Sequence, residues 1–309
     1  MKSESSKTII TVAICTYNRA DYLKDTLNDL AVQTADKNSF EVLVINNNST
    51  DHTEAVCTDF QKTHPKINFR FVDETNQGLS FARNRSVKEA TAATLLFIDD
   101  DVHLKENFVS TALNYLKSSP HVSCAGGRIF VSFDDADPDW IPNELMPMFG
   151  LHDLGESDKL YPTNNFPRGG NMLIKKSVFE KHGLFDTNLG RIGKNLLGSE
   201  EKAFFESVRN QGIELHYWAD LKLWHRIGSN RLKNEYLKKQ SVGIGKSERF
   251  RVMHSKVKTS GKLFSELIKL TGSVVLGMGY LMRGKVKAAT FLLKFRVWVL
   301  QGFINPKND

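Results

Sequence analysis

Cysteine is scarce in this chain. The three present in 309 residues, Cys15, Cys57 and Cys124, stand in unrelated contexts. They give neither a metal-type spacing nor an even-numbered disulfide framework. Cys15 and Cys124 lie in apolar runs and are expected as buried thiols, which fits a reducing compartment. Long apolar runs are missing as well: no stretch reaches the ~20 uninterrupted apolar residues of an ordinary membrane span. The start, MKSESSKTIITVAIC, sets basic residues before a short hydrophobic segment. That segment has no small-residue cleavage pattern and runs straight into TYNR, so no signal peptide is expected. No internal repeat is visible. Glycine is absent from ICTYNRA (14–20), which argues against a glycine-rich phosphate loop with its lysine after the first strand.

What is there reads as a globular α/β chain, 40% hydrophobic and 25% charged. The β-branched run TIITVAIC (8–15) has strand length. It is followed by 16–33, where Leu23, Leu27 and Leu30 recur at helical spacing and Asp21 is the expected N-cap. FEVLVINN (40–47), INFRFVD (67–73) and TLLFIDD (94–100) are further strands. The segments 50–60, capped by Ser49–Asp51, and 78–92 are the helices between them. This alternation predicts a mostly parallel central sheet flanked by helices, with functional residues gathered at the carboxyl ends of the strands. Residues 132–168, rich in Asp, Pro and aromatics, read as a long loop over a site. A strand and short helix are expected over 168–186. A helix follows over 195–212, capped by Ser199 and stopped by Gly212, then a strand over 213–227.

The sharpest feature is LLFIDDDVH (95–103), an apolar strand that ends in Asp99, Asp100 and Asp101. Adjacent carboxylates repel, and a divalent cation would turn that repulsion into binding, since hard oxygens suit Mg2+ or Mn2+. A solvated turn is the plainer alternative.

AICTYNR (13–19), VINNNSTD (44–51), NQGLSFARN (76–84) leading into FIDDD (97–101), and GSEE (198–201) followed by LWHR (223–226) occur in this order. Together they make residues 8–230 resemble a family 2 glycosyltransferase of the GT-A fold, the inverting bacterial group that builds polysaccharides from nucleotide-activated sugars. The resemblance implies a catalytic domain over 1–235, with nucleotide-sugar binding at about 8–130 and an acceptor part at about 131–235. A helical extension at 236–309 completes the chain. It also implies a cation, Mn2+ or Mg2+, bridging the donor phosphates. Asp101 is its direct ligand, Asp99 reaches the ribose or a metal-bound water, Asp100 points outward, and His225, at the strand end, approaches the ion or the pyrophosphate, a core-edge histidine being the other reading.

Thr16, Tyr17, Arg19, Asn46 and Asn48 match the nucleotide pocket, and Arg83 matches a position near the donor phosphates. A helix-pinning role for Arg83 stands equally open. Relatives carry aspartate where this chain has Asn46. An amide still offers an acceptor and a donor to uracil, so a UDP-sugar is preferred, with GDP- and dTDP-sugars as alternatives. Glu201 takes the position of the catalytic base, with Glu200 beside it. Arg168, Gly169, Gly170 and Asn171 match the floor of the acceptor pocket, where glycines would admit a sugar ring. Trp140 and Trp218 are candidate stacking platforms, with core packing the preferred reading of each.

The net charge of +7 is concentrated toward the C-terminus. There 262–303 is apolar in two blocks around RGKVK. Cations interleaved with Phe, Trp and Leu suit an interfacial helix pair on anionic lipid, and a homodimer interface is the other reading. The expected partners are therefore a nucleotide-sugar donor, a saccharide or lipid-linked acceptor, and the inner face of the cytoplasmic membrane, with a cytoplasmic, peripheral location and no nucleic acid. The competing function is a nucleotidyltransferase or sugar-nucleotide synthase with a similar metal site.

Overall fold

Continuous burial along the first strands decides the architecture. In β1 (Ile10–Thr16), β2 (Phe40–Asn46) and β4 (Thr94–Asp99) nearly every side chain is buried, as in a sheet covered on both faces. The computed structural model describes residues 8–135, 137–190, 200–253 and 255–306. One face of the sheet sends Val12, Ile14, Val42, Val44, Leu96 and Ile98 against Leu23, Leu27 and Leu30 of α1 (Ala20–Ala31) and Phe60 of α2 (Thr53–Thr63). The opposite face sends Ala13, Leu95 and Phe97 into a second cluster with Phe179 of α5 (Lys176–His182) and Phe204, Phe205 and Val208 of α6 (Glu200–Asn210).

The remaining elements are β3 (Phe69–Asp73), α3 (Leu79–Glu89), β5 (Val102–Leu104), α4 (Phe108–Ser118), β6 (Cys124–Phe133), β7 (Lys159–Leu160), β8 (Asn171–Lys175) and β9 (Leu215–Ile227). They are followed by α7 (Asn234–Val252), α8 (Lys256–Met282) and α9 (Val286–Ile304). The sheet runs in the order β3-β2-β1-β4-β8-β6-β9-β5, with β7 paired to β9. It is mixed rather than mostly parallel. β3, β2, β1 and β4 are parallel, whereas β8 is antiparallel to both β4 and β6, and β9 to both β5 and β7. Between β4 and its neighbour β8 the chain passes through β5, α4, β6 and β7 rather than a single crossover helix, so β8 is free to return antiparallel.

Helix capping departs from the sequence expectation at α1. Asp21 does not cap α1. The Ala20 N–H donates instead to Asp51 Oδ2 at 3.1 Å, a carboxylate from the loop after β2 that also accepts the Thr53 N–H and hydroxyl at the start of α2. Ser199, the expected cap of α6, lies outside the described residues. Cys57 and Cys124 are buried and Cys15 is partly so, all as free thiols.

The chain forms two compact units. The first takes in residues up to Phe130, those from Leu151 and those from Glu200 to Arg226; the second takes in Val131–Gly150 and the chain from Ile227. Residues 131–150, expected as part of a loop over the site, thus group with the C-terminal helices, where Asn143–Phe149 form a 3-10 turn. Trp140 packs edge-on against Phe291 in that unit, with ring centroids 5.3 Å apart. In the same unit α7 and α9 cross so closely that a Cβ at Gly245 would overlap the Val299 carbonyl, and one at Gly302 the Val242 carbonyl.

Candidate active site

All the site residues described below belong to the first unit. β1 and β4 are neighbours in register, Cys15 opposite Asp99, so Thr16 and the aspartates emerge side by side. Thr16 donates its hydroxyl to Asp100 Oδ2 at 2.7 Å. Asp100 is therefore buried, and the expectation that it points outward is corrected. Arg19, half-buried just before α1, sets one guanidinium nitrogen 2.5 Å from Asp101 Oδ2 and another 3.4 Å from Asp100 Oδ1. The third contributor comes from β9. Val102 of β5 pairs with His225, which sits two residues inside the end of its strand. Its Nε2 lies 3.1 Å from Asp101 Oδ2.

Asp99, Asp101 and His225 each bring a ligand atom to within 4.8 Å of the others. Burial, and then the charge of Asp101, hold the Asp99 carboxyl above its ordinary range. Burial also pushes Asp100 up to about 6, although Arg19 opposes the shift. The Arg19 guanidinium is penalised by burial too, but the facing carboxylates hold its proton more tightly than usual. Two carboxylates and an imidazole in partly dry surroundings are a hard, oxygen-rich donor set. The residues present fit a divalent cation, and Arg19 lies where positive charge is needed.

The second half of the site is a clamp. Arg83, on α3 and 3% exposed, donates Nη1 to Glu200 Oε1 and Nη2 to Glu201 Oε1, each at 2.8 Å. Arg83 thus ties α3 to the two acids of α6, the pinning role expected of it beside the one at the donor phosphates. Burial disfavours the guanidinium's charge, and Glu201 and Glu200 more than restore it. The two acids differ in access: the Glu200 side chain is 5% exposed and that of Glu201 21%.

Two adjacent glycines join the halves. A Cβ at Gly169 would overlap Arg83 Nη2 and Glu201 Oε1, while one at Gly170 would come within 2.7 Å of Asp99 Oδ2. Their lack of side chains makes room for the protein's own acids, where a sugar ring had been expected. Asn171, expected at the acceptor, is fully buried in β8 and donates Nδ2 to the Arg128 and Leu221 carbonyls. Arg168 is exposed and lies over the Phe166 ring at 4.4 Å. Trp218 is core, stacked on Tyr115 at 4.6 Å.

At the end of β2, Asn46 donates Nδ2 to Asp73 Oδ1 at 2.8 Å and accepts the Ser49 N–H at 3.2 Å. Asp73 was missed by the sequence reading. The register of β2 with β3 sets Asn46 opposite it, which no local pattern announces. Asn48 is exposed with φ 62, a left-handed position that asparagine tolerates, and Tyr17 is half-buried beside Thr16.

The site thus sets a carboxylate and imidazole cluster able to hold a divalent cation at the strand ends of an α/β fold, with a second pair of acids on a helix. The chain belongs to glycosyl transferase family 2, whose model matches residues 11–183. That membership replaces the nucleotidyltransferase reading with transfer of a sugar from a nucleotide-sugar donor to an acceptor. Among curated relatives, the glucosyl-dolichyl phosphate glucuronosyltransferase of Haloferax volcanii is 22% identical over 78% of this chain and 76% of its own. Glycosyltransferase AglE of the same organism is 25% identical over 60% of this chain and 58% of its own. Among solved structures, a mannosyltransferase from Pyrobaculum calidifontis in complex with GDP-Man and Mn2+ shares the fold with a TM-score of 0.64. It is 15% identical and covers 98% of this chain and 88% of its own.

Proposed function

We propose that this enzyme is an inverting, divalent-metal-dependent glycosyltransferase with Glu201 as its general base. In this reading it moves a sugar from a nucleotide-diphosphate sugar to a saccharide or lipid-linked hydroxyl in surface polysaccharide assembly. The observation that carries the reading is the glycine pair. Gly169 is packed on Glu201 and Gly170 on Asp99, and consecutive Cα atoms are only about 3.8 Å apart. The putting together of a charge-neutralising cluster and a partly accessible carboxylate is what single displacement needs, because the acceptor hydroxyl loses its proton while the diphosphate leaves.

A divalent ion held by Asp99, Asp101 and His225 would supply positive charge against the departing diphosphate. Glu201 takes the acceptor proton as the acceptor oxygen bonds to the anomeric carbon and the bond to the nucleotide breaks. Arg83 fixes the direction of the Glu201 carboxylate through Oε1 and leaves Oε2 for the acceptor. Glu200, deeper and held by the same guanidinium, anchors the clamp.

For the donor we prefer a UDP-sugar. The hydrogen bond from Asn46 to Asp73 orients the amide and leaves a lone pair on its carbonyl oxygen for the N3–H of uracil. Solved structures of the same fold hold GDP-Man in one case and UDP-GlcNAc in another, so the choice is tested directly. A calorimetric screen of UDP-, GDP-, dTDP- and CMP-sugars should give binding with UDP, and exclusive GDP binding would overturn this preference.

The base is tested by Glu201→Gln. It should lose ~10²–10⁴ in transfer rate while binding donor nearly normally, whereas Glu200→Gln should be much milder. The reverse pattern would move the base one residue upstream.

A further inference from the structure

Helix α8 is amphipathic in the wrong sense for a soluble protein. Val257, Phe264, Ile268, Val275, Met278 and Met282 are 84, 66, 56, 62, 52 and 85% exposed, and their spacing puts them on one face of the helix. The opposite face carries the polar residues and is the buried one. Glu266 is 5% exposed and held by Lys262 and Lys269 at 3.2 and 2.7 Å. Ser273, 3% exposed, accepts from Arg296 of α9, and Gly277 lies against Leu293. The two apolar blocks of the tail therefore have different fates. α9 buries Phe291, Leu292, Phe295 and Val299 in the second unit's core, and α8 turns its apolar residues outward.

Charge identifies what would cover that stripe. Residues 249–306 hold eleven Lys and Arg and a single acid, Glu266. Exposed cations stand at both ends of α8, Lys256 and Lys258 at one and Arg283, Lys285 and Lys287 at the other. Two copies meeting through the stripe would set basic ends on basic ends whether the helices ran parallel or antiparallel. An anionic lipid surface meets both ends with opposite charge and accepts the apolar side chains between them. No helix among the described residues is long and apolar enough to cross a membrane, and the most exposed apolar residues of α8, Val257, Phe264, Val275 and Met282, share one face.

We infer that α8 is an in-plane docking helix, which seats its Phe264–Met282 stripe in an anionic lipid surface while the flanking lysines and arginines hold the headgroups. Such a tether suits the lipid-linked acceptor of the proposed function, but it does not depend on the transfer chemistry. The test is flotation of the full chain with phosphatidylcholine vesicles, with and without phosphatidylglycerol. At low salt the protein should float with the anionic vesicles, and at least tenfold less should float with neutral ones or at high salt. The quadruple variant F264S/I268S/V275S/M278S should cut partitioning at least tenfold with its thermal melt and donor binding unchanged. As a second variant, K285E/K287E alters only exposed positions at the start of α9, where acids favour a helix. It should weaken flotation selectively with the anionic vesicles. Failure of the full chain to float with anionic vesicles at low salt would overturn the inference. So would undiminished flotation of the quadruple variant, or a wild-type dimer that the stripe substitutions dissociate, which would make the face a subunit interface.

Discussion

Arg83 carries more of this site than its single position suggests. Its guanidinium is shared by both acids of α6, and its fork is what allows two carboxylates to be held at fixed directions. Arg83→Met would remove the guanidinium that Glu200 and Glu201 share, and breaking a buried ion pair typically costs ~3–5 kcal/mol. A lower chemical-denaturation midpoint should accompany the loss of turnover. Arg83→Lys keeps the charge without the fork. It should retain more stability than the methionine variant yet still lower kcat, because a single ammonium cannot orient both acids. Equal stability of the two variants would show that charge contributes nothing here.

The acids of the other half act on a different measurable. Asp101→Ala should abolish saturable Mn2+ binding followed by paramagnetic resonance. Full transfer activity in chelator, together with normal turnover of this variant, would refute the metal role of the cluster.

At the scale of elements, the loop before β8 separates the two halves experimentally. Gly170→Ala pushes on Asp99 and should weaken Mn2+ binding several-fold. Gly169→Ala pushes on Arg83 and Glu201 and should lower kcat at least tenfold while Mn2+ affinity holds. If both substitutions damage both readouts alike, the loop is one unit and the division fails.

Burial of His152 gives a second test at this scale. Its backbone bridges to Ile129 of β6 and its ring meets the Tyr161 hydroxyl at 3.0 Å. Burial, helped by the charge of Arg168, pushes the imidazole down from 6.5 to about 3. As pH falls below 6.5 the unfolded chain takes up a proton that the folded one refuses. Stability is therefore full above that value and declines toward about 3, by up to ~1.4 kcal/mol per pH unit. Urea melts at pH 7 and pH 5 should show a loss in the wild type that His152→Gln largely abolishes.

For the whole molecule, the division into two units separates chemistry from attachment. Every residue of the metal cluster and the acid clamp lies in the first unit, while the outward apolar helix lies in the second. Donor binding and vesicle binding should accordingly be separable by substitution. The F264S/I268S/V275S/M278S protein should bind UDP-sugar with wild-type affinity, and Glu201→Gln should float with anionic vesicles like the wild type. A variant in either set that lost both properties would show the two units to be energetically coupled.

What the sequence determined by itself were features written in neighbouring residues. Strand-length β-branched runs fixed β1, β2 and β4, and helical spacing fixed α1. The Asp run ending an apolar strand marked the acidic cluster, and the family's ordered motifs pointed to His225 as its third member. Those signals are local because main-chain conformation and amphipathic burial depend on residues a few positions apart. The tertiary structure alone decided the rest. Arg83 reaches acids 117 and 118 positions away, Asp51 caps a helix 31 positions earlier, and Asn46 meets Asp73 only through strand register. The tail shows the same limit, since α8 and α9 are both apolar in composition yet only α9 finds a core. Hydrophobicity sets how much a helix gains by leaving water, but which partner covers it is settled by shape and by what the rest of the chain has already packed.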